Sequence, residues 1–154
     1  MNQETERKFL VVSSAYRELA TGVEISQGYL CTDPERTVRV RLYGNEGFLT
    51  IKGKGDITRA EFEYPIPAED ARNLLENLCQ RPILSKHRFR IQYEGWLWEV
   101  DEFHGANEGL VIAEIELPDA DASFARPPWV GDEVTGDPRY FNSRLVSHPY
   151  SNWP

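Results

Sequence analysis

The sequence predicts a mainly β (α+β) domain in which an antiparallel sheet closes into a barrel flanked by a few helices. Three observations carry that expectation. Apolar and polar residues alternate with period two in six separate runs. The polar faces of those runs are sorted by kind, arginine with arginine, lysine with lysine and glutamate with glutamate. One longer segment, Pro67 to Leu78, has helical spacing instead.

In chain order, a short helix is expected over Ala15 to Leu19. Thr37 to Tyr43 is the first clear strand, with Arg39 and Arg41 on one face and Val38, Val40 and Leu42 on the other. The turn-like Gly44-Asn45-Glu46-Gly47 leads into Phe48 to Lys54, which returns as the second arm of a hairpin and sets Lys52 and Lys54 on one face. Arg59 to Tyr64 groups Glu61 with Glu63, and Lys86 to Ile91 groups Lys86, Arg88 and Arg90. Trp96 to Asp101 sets Glu99 beside Asp101, and Leu110 to Leu117 alternates towards Glu114 and Glu116.

Between these strands, Pro67 to Leu78 opens on a proline and carries Glu69 and Asp70 where a helix dipole favours negative charge. Leu74, Leu75 and Leu78 follow at helical spacing, so the segment reads as an amphipathic scaffold helix. The C-terminal third, rich in Pro, Trp and Gly, reads as loops with short helices around Tyr140 to Val146.

A half-exposed sheet ordinarily turns its charged face to water. Sorting by sign argues for the reverse, because soluble surfaces intersperse both signs at short range. Like charges at i and i+2 repel, and a ligand of opposite sign relieves them: a polyanion against the basic faces, metal ions against the carboxylates. Closing the sheet lets the charged faces point inward while the apolar faces pack under the Pro67–Leu78 helix and the Trp-rich tail.

A length of 154 residues suits one domain over residues 1–154. With 17 Lys and Arg against 25 Asp and Glu, the net charge of −8 argues against nucleic acid as a partner. Cys31 and Cys79 lie far apart and form no CxxC pair, which suggests neither a disulfide framework nor a zinc knuckle. The polar, acidic N-terminus and the lack of a membrane-length apolar run predict a cytoplasmic protein with no membrane partner.

The order of the charged pairs adds a resemblance. Glu4-Thr5-Glu6-Arg7-Lys8, Gln27-Gly28-Tyr29-Leu30, Arg39-x-Arg41, Lys52-x-Lys54, Glu61-x-Glu63, Lys86-x-Arg88, Asp101 and Glu114-x-Glu116 follow one another. Trp129 to Thr135 and Arg139 to Asn142 close the series. This pattern resembles the CYTH superfamily, the triphosphate tunnel metalloenzymes, and among them the short bacterial members. The resemblance implies a tunnel of eight antiparallel strands and a divalent-metal-dependent hydrolase that splits inorganic triphosphate into pyrophosphate and phosphate.

The implied site follows from charge chemistry. Arg39, Arg41, Lys52, Lys54, Lys86 and Arg88 supply the cations that a triphosphate needs inside a tunnel. Glu4, Glu6, Glu114 and Glu116 offer hard oxygen donors for Mg²⁺ or Mn²⁺, and Asp101 with Glu61 or Glu63 offers a second metal or water site. Lys8 and Tyr29 match a pair that in some relatives orients or deprotonates the attacking water. The plainer alternatives are that Glu61 and Glu63 only neutralise nearby lysines, that Arg90 and Glu99 form an ion pair, and that Tyr29 simply packs. His87 falls on the opposite strand face, and the tryptophans read as core or barrel exterior. Nucleoside or thiamine triphosphatase, a class IV-type adenylate cyclase and a non-catalytic polyphosphate- or nucleotide-binding module stay open, as does a homodimer.

Overall fold

The computed structural model describes residues 2–154. Its strands are β1 (Gln3–Val11), β2 (Val23–Cys31), β3 (Thr37–Tyr43), β4 (Glu46–Lys52), β5 (Thr58–Ile66), β6 (Leu84–Tyr93), β7 (Trp96–Phe103), β8 (Val111–Glu116) and β9 (Val130–Glu133), with helices α1 (Ala68–Asn77) and α2 (Asn142–Ser147). All strand pairs are antiparallel, in the order β5-β4-β3-β2-β6-β7-β8-β1-β9, and a further β1–β5 pairing closes β1 to β8 into a barrel.

β1 makes the closure by sharing its length. Gln3, Glu4 and Thr5 pair with β5, Glu6 to Leu10 pair with β8, and Phe9 and Val11 also meet β9. β1, β2 and β9 are strands without simple alternation, which is why the sequence did not announce them. β1 carries charge on both faces, with Arg7 turned out to Glu133 at 2.6 Å. On β2 the outer face holds Glu24, Ser26 and Gly28, and a Cβ on Gly28 would come within 2.9 Å of Cys79 Cβ, so glycine permits close approach there. β9 has four residues, one of them glycine.

Two hairpins turn on two residues each. Gly44-Asn45 joins β3 to β4 with Gly44 at φ +59°, and Glu94-Gly95 joins β6 to β7 with φ of +50° and +81°.

The apolar core lies mainly outside the barrel wall. Phe9, Ile91, Trp98, Val100 and Ile115 pack beneath Tyr16, in a 3₁₀ turn over Ala15–Glu18, and beneath Trp129. Val40 packs against Ala71 and Leu75 of α1 and against Cys79, with Pro67 capping that helix and Glu69 and Asp70 in its first turn. The interior is not charged throughout, however. Leu84, Phe103 and Ile112 sit on the same strand faces as the charged residues and form an apolar plug with Tyr140 and Leu145 of the C-terminal segment.

Glu94 occupies the left-handed region, which asparagine tolerates better than a longer side chain. Glu94→Asn is expected to stabilise the protein by about 0.5–1 kcal/mol, read from the urea midpoint at unchanged slope.

Candidate active site

Above the plug, the inward faces of the strands enclose a cavity of about 240 Å³. Its lining is contributed residue by residue by the period-two positions: Glu4, Glu6 and Lys8 from β1, Arg39 and Arg41 from β3, Lys86 and Arg88 from β6, Glu114 and Glu116 from β8. Tyr29, Lys52, Arg59, Glu61, Glu63 and Glu99 complete the wall, and Phe141, Asn142 and Ser143 border it where α2 begins.

The basic side is organised by Asp101. Its two oxygens accept from Arg88 Nε and Nη2 at 2.8 and 2.9 Å, and Lys86 Nζ lies 2.8 Å from Oδ2. Burial alone would raise the Asp101 carboxyl, but Arg88 and Lys86 outweigh it and hold the group well below the usual carboxylate range. One carboxylate thus serves two cations. Burial pulls Lys86 down to about 7, the Asp101 charge only partly offsetting it. Arg39 Nη2 donates to Thr50 Oγ1 at 3.2 Å and to Glu63 at 3.3 Å, while its buried Nε has no protein partner.

The acidic side is uneven in another way. Glu4 Oε1 accepts from Lys52 Nζ and Arg59 Nε, each at 2.8 Å, and these cations overcome the effect of burial to lower Glu4 to about 2. Glu6 and Glu116 face each other across β1 and β8, and neither makes an ion pair among the described residues. Burial, with Glu114 and Glu4 nearby, pushes Glu6 up to about 7 against the pull of Lys52 and Lys8, and Glu116 is likewise raised by burial and by Glu4. Glu114 sits 3.8 Å from Lys8 Nζ and 4.0 Å from Arg88 Nη2.

Most of the residues expected at the site therefore meet in one cavity, with two corrections. Lys54 does not join it: β4 ends at Lys52, the chain bends through Gly53, and the Lys54 side chain is 71% exposed beside Glu35. Asp101 does not face the cavity as a metal ligand would, because both its oxygens are occupied by Arg88 and Lys86. Glu61 lies 3.4 Å from Lys52, whereas Glu63 accepts from Arg39 and from Thr50 and has no lysine within ion-pair distance among the described residues. Glu99 bridges Arg88 and Arg90 at 3.3 and 3.4 Å, and His87 points outward to His104 at 2.6 Å.

Arg59 and Asn142 are cavity residues to which the sequence reading gave no role at the site, and Glu99, read beside Asp101 as an ion-pair partner of Arg90, also borders the cavity. Arg59 was visible in principle, since it shares parity with Glu61 and Glu63 on β5. Asn142 follows an irregular tail in which no alternation marks a face.

The donors present fit a hard divalent cation. The unpaired carboxylates of Glu6 and Glu116, with Glu114 beside them, are oxygen ligands short of positive charge. Among the described residues no three carboxylate, imidazole or thiol groups converge as a ready cage. Such a site suits an ion that keeps waters and takes further oxygens from a bound phosphate.

A family model for the CYTH domain matches residues 2–145. The chain belongs to the CYTH family. It is 54% identical to an inorganic triphosphatase of Acetivibrio thermocellus over 154 residues, 99% of each protein. An inorganic triphosphatase of Nitrosomonas europaea is 38% identical over 147 residues, which span 93% of this chain and 96% of that one. A solved crystal structure of an inorganic triphosphatase matches with a TM-score of 0.67 and 34% identity, over 93% of each chain. The barrel is therefore a fold shared with that neighbour.

Two stability measurements probe this charge pattern. Asp101→Asn leaves Arg88 and Lys86 buried without their carboxylate, and a loss of about 3–5 kcal/mol is expected in urea unfolding at pH 7. Because the folded carboxyl is depressed, its contribution is full above the unfolded carboxylate range and declines as pH falls from there to the folded value, so the full deficit persists down to about pH 4. Glu6 has the opposite sign. Its raised folded value disfavours the native state above about 7, and the penalty vanishes below the ordinary 4.5. Glu6→Gln is therefore expected to raise the melting temperature in metal-free buffer at pH 8, with the advantage shrinking to nothing on acidification.

Proposed function

We propose that this CYTH protein is a divalent-metal-dependent hydrolase that cleaves inorganic triphosphate into pyrophosphate and phosphate. The observation that carries the reading is a set of unmatched charges of both signs in one cavity. Arg41 has no carboxylate within ion-pair distance among the described residues, and Glu6 and Glu116 have no cation. A polyanion and a divalent ion bound together answer both deficits. Similarity to two inorganic triphosphatases along nearly the whole chain supports the same substrate.

In this reading Arg39, Arg41, Lys52, Lys86 and Arg88 grip the phosphate oxygens, the arginines through paired N–H groups. Arg59 braces Glu4 from the β5 wall. Glu6, Glu114 and Glu116 hold Mg²⁺ or Mn²⁺, with Glu4 Oε2 left over from its cation pairs. When bound there, such an ion would supply positive charge against the phosphate oxygens. Lys8 and Tyr29, both buried cavity residues, orient the attacking water. Its oxygen bonds to the terminal phosphorus, the bridging P–O bond breaks, and pyrophosphate leaves with the electron pair. The proton lost by water passes to a basic oxygen or amine of the site. The protein acts in the cytoplasm as a single domain, without nucleic acid or membrane; among the described residues no helix is long and apolar enough to cross a bilayer.

Phosphate release from triphosphate, ATP and thiamine triphosphate, each with Mg²⁺ or Mn²⁺, tests the reading. Triphosphate is expected to be the preferred substrate, and Glu6→Gln to lower kcat by about 100-fold or more. Absence of metal-dependent release from any of the three would overturn the hydrolase. Cyclic AMP and pyrophosphate from ATP would replace it with a cyclase.

A further inference from the structure

Arg41, half-buried, is held by an amide where a guanidinium out of open water is best satisfied by a carboxylate. Gln27, itself fully buried, accepts through Oε1 from Arg41 Nε at 3.2 Å and Nη2 at 3.0 Å. Arginine has donors only, so the Gln27 oxygen must face it. The Nε2 of Gln27 is then left to donate to Tyr29 Oη and to Asn142 Oδ1, each at 3.3 Å. Asn142 is oriented by the same logic, since Lys86 Nζ, again a donor only, reaches Oδ1 at 2.8 Å. A chain of neutral groups therefore links Arg41, Tyr29 and Lys86, and ties the first residue of α2 to the wall.

Neutral acceptors fix direction without cancelling charge. A carboxylate in place of Gln27 would pair with Arg41 more strongly and would also repel an incoming phosphate. Lys86 has only the carboxylate that it shares with Arg88, and burial draws Arg41 down to about 9, as expected for a cation short of counter-charge.

We propose that Gln27 and Asn142 are positioning residues that hold Arg41 and Lys86 at the cavity wall with their charge undischarged, so that the oxygens of a bound polyphosphate complete the ion pairs. This inference rests on the triphosphate reading. It gives a role to Gln27, which belongs to the Gln27-Gly28-Tyr29-Leu30 motif but supplies no charge of its own.

The test is Gln27→Glu, with Asn142→Asp as the matching change at the Lys86 end. Triphosphate binding is measured by calorimetry with a chelator present, and KM and kcat with Mg²⁺, alongside the melting temperature. Each variant is expected to weaken triphosphate binding by about tenfold or more, with the loss falling mainly on KM and with a melting temperature equal to or above wild type. A merely structural amide would not give a protein that is more stable and binds worse. If Gln27→Glu fails to fold, Asn142→Asp decides the matter alone. Folded variants that bind triphosphate within twofold of wild type overturn this inference and leave the hydrolase reading standing. A wild-type protein that binds no triphosphate overturns both.

Discussion

The barrel interior depends on one buried carboxylate. Asp101 is fully buried and accepts hydrogen bonds from Arg88 while lying against Lys86, so the two most enclosed cations of β6 are fixed by one residue of β7. Desolvating three charged groups costs several kcal/mol each, and only close geometry returns it. That geometry spreads outward. Arg88 reaches Glu99 and Glu114, Lys86 reaches Asn142, and through these contacts β6, β7, β8 and α2 hold a common register. Because Lys86 has no carboxylate besides the one that it shares with Arg88, its charge at the cavity wall is only partly answered, and a polyanion can use it.

Turning the charged faces inward moves the hydrophobic problem to the outside. The barrel has to be covered, and each cover is built from what the adjoining strand offers. Flat aromatic and branched side chains of β6, β7 and β8 lie under Trp129 and Tyr16, while the smaller face of β3 lies under α1. The apolar plug under Tyr140 and Leu145 keeps one stretch of the interior dry and so confines the charged residues to the remaining space. Coulomb interactions there are less screened than at a surface.

The sequence made the charged arcs legible because each arc lies on a regular strand. Arg39 with Arg41, and Lys86 with Arg88, keep strict parity, so reading the strand is reading the wall. Lys54 failed because parity holds only while the strand lasts, and β4 stops two residues earlier. Asp101 was correctly turned inward but its partners were not legible, since they are set by cross-strand register with β6. β1 and β2 were hidden for a related reason. Charge on both faces of one, and a close-packed glycine in the other, erase the two-residue rhythm that marks a strand. Asn142, and Tyr140 and Leu145 of the plug, lie in a tail whose position comes from tertiary packing alone.

β1 carries Glu4, Glu6 and Lys8 and also closes the wall, taking β5 with its first residues and β8 and β9 with the rest. Its neighbours β8 and β9 lie about a hundred residues further along the chain, whereas the β2–β3–β4–β5 meander pairs with its own sequence neighbours. Such distant pairings are entropically slow to form. The two halves of the cavity therefore mature at different times. The basic arc of β3 can take shape hairpin by hairpin on a growing chain, while the acidic arc of β1 and β8 has to wait until β8 has been made.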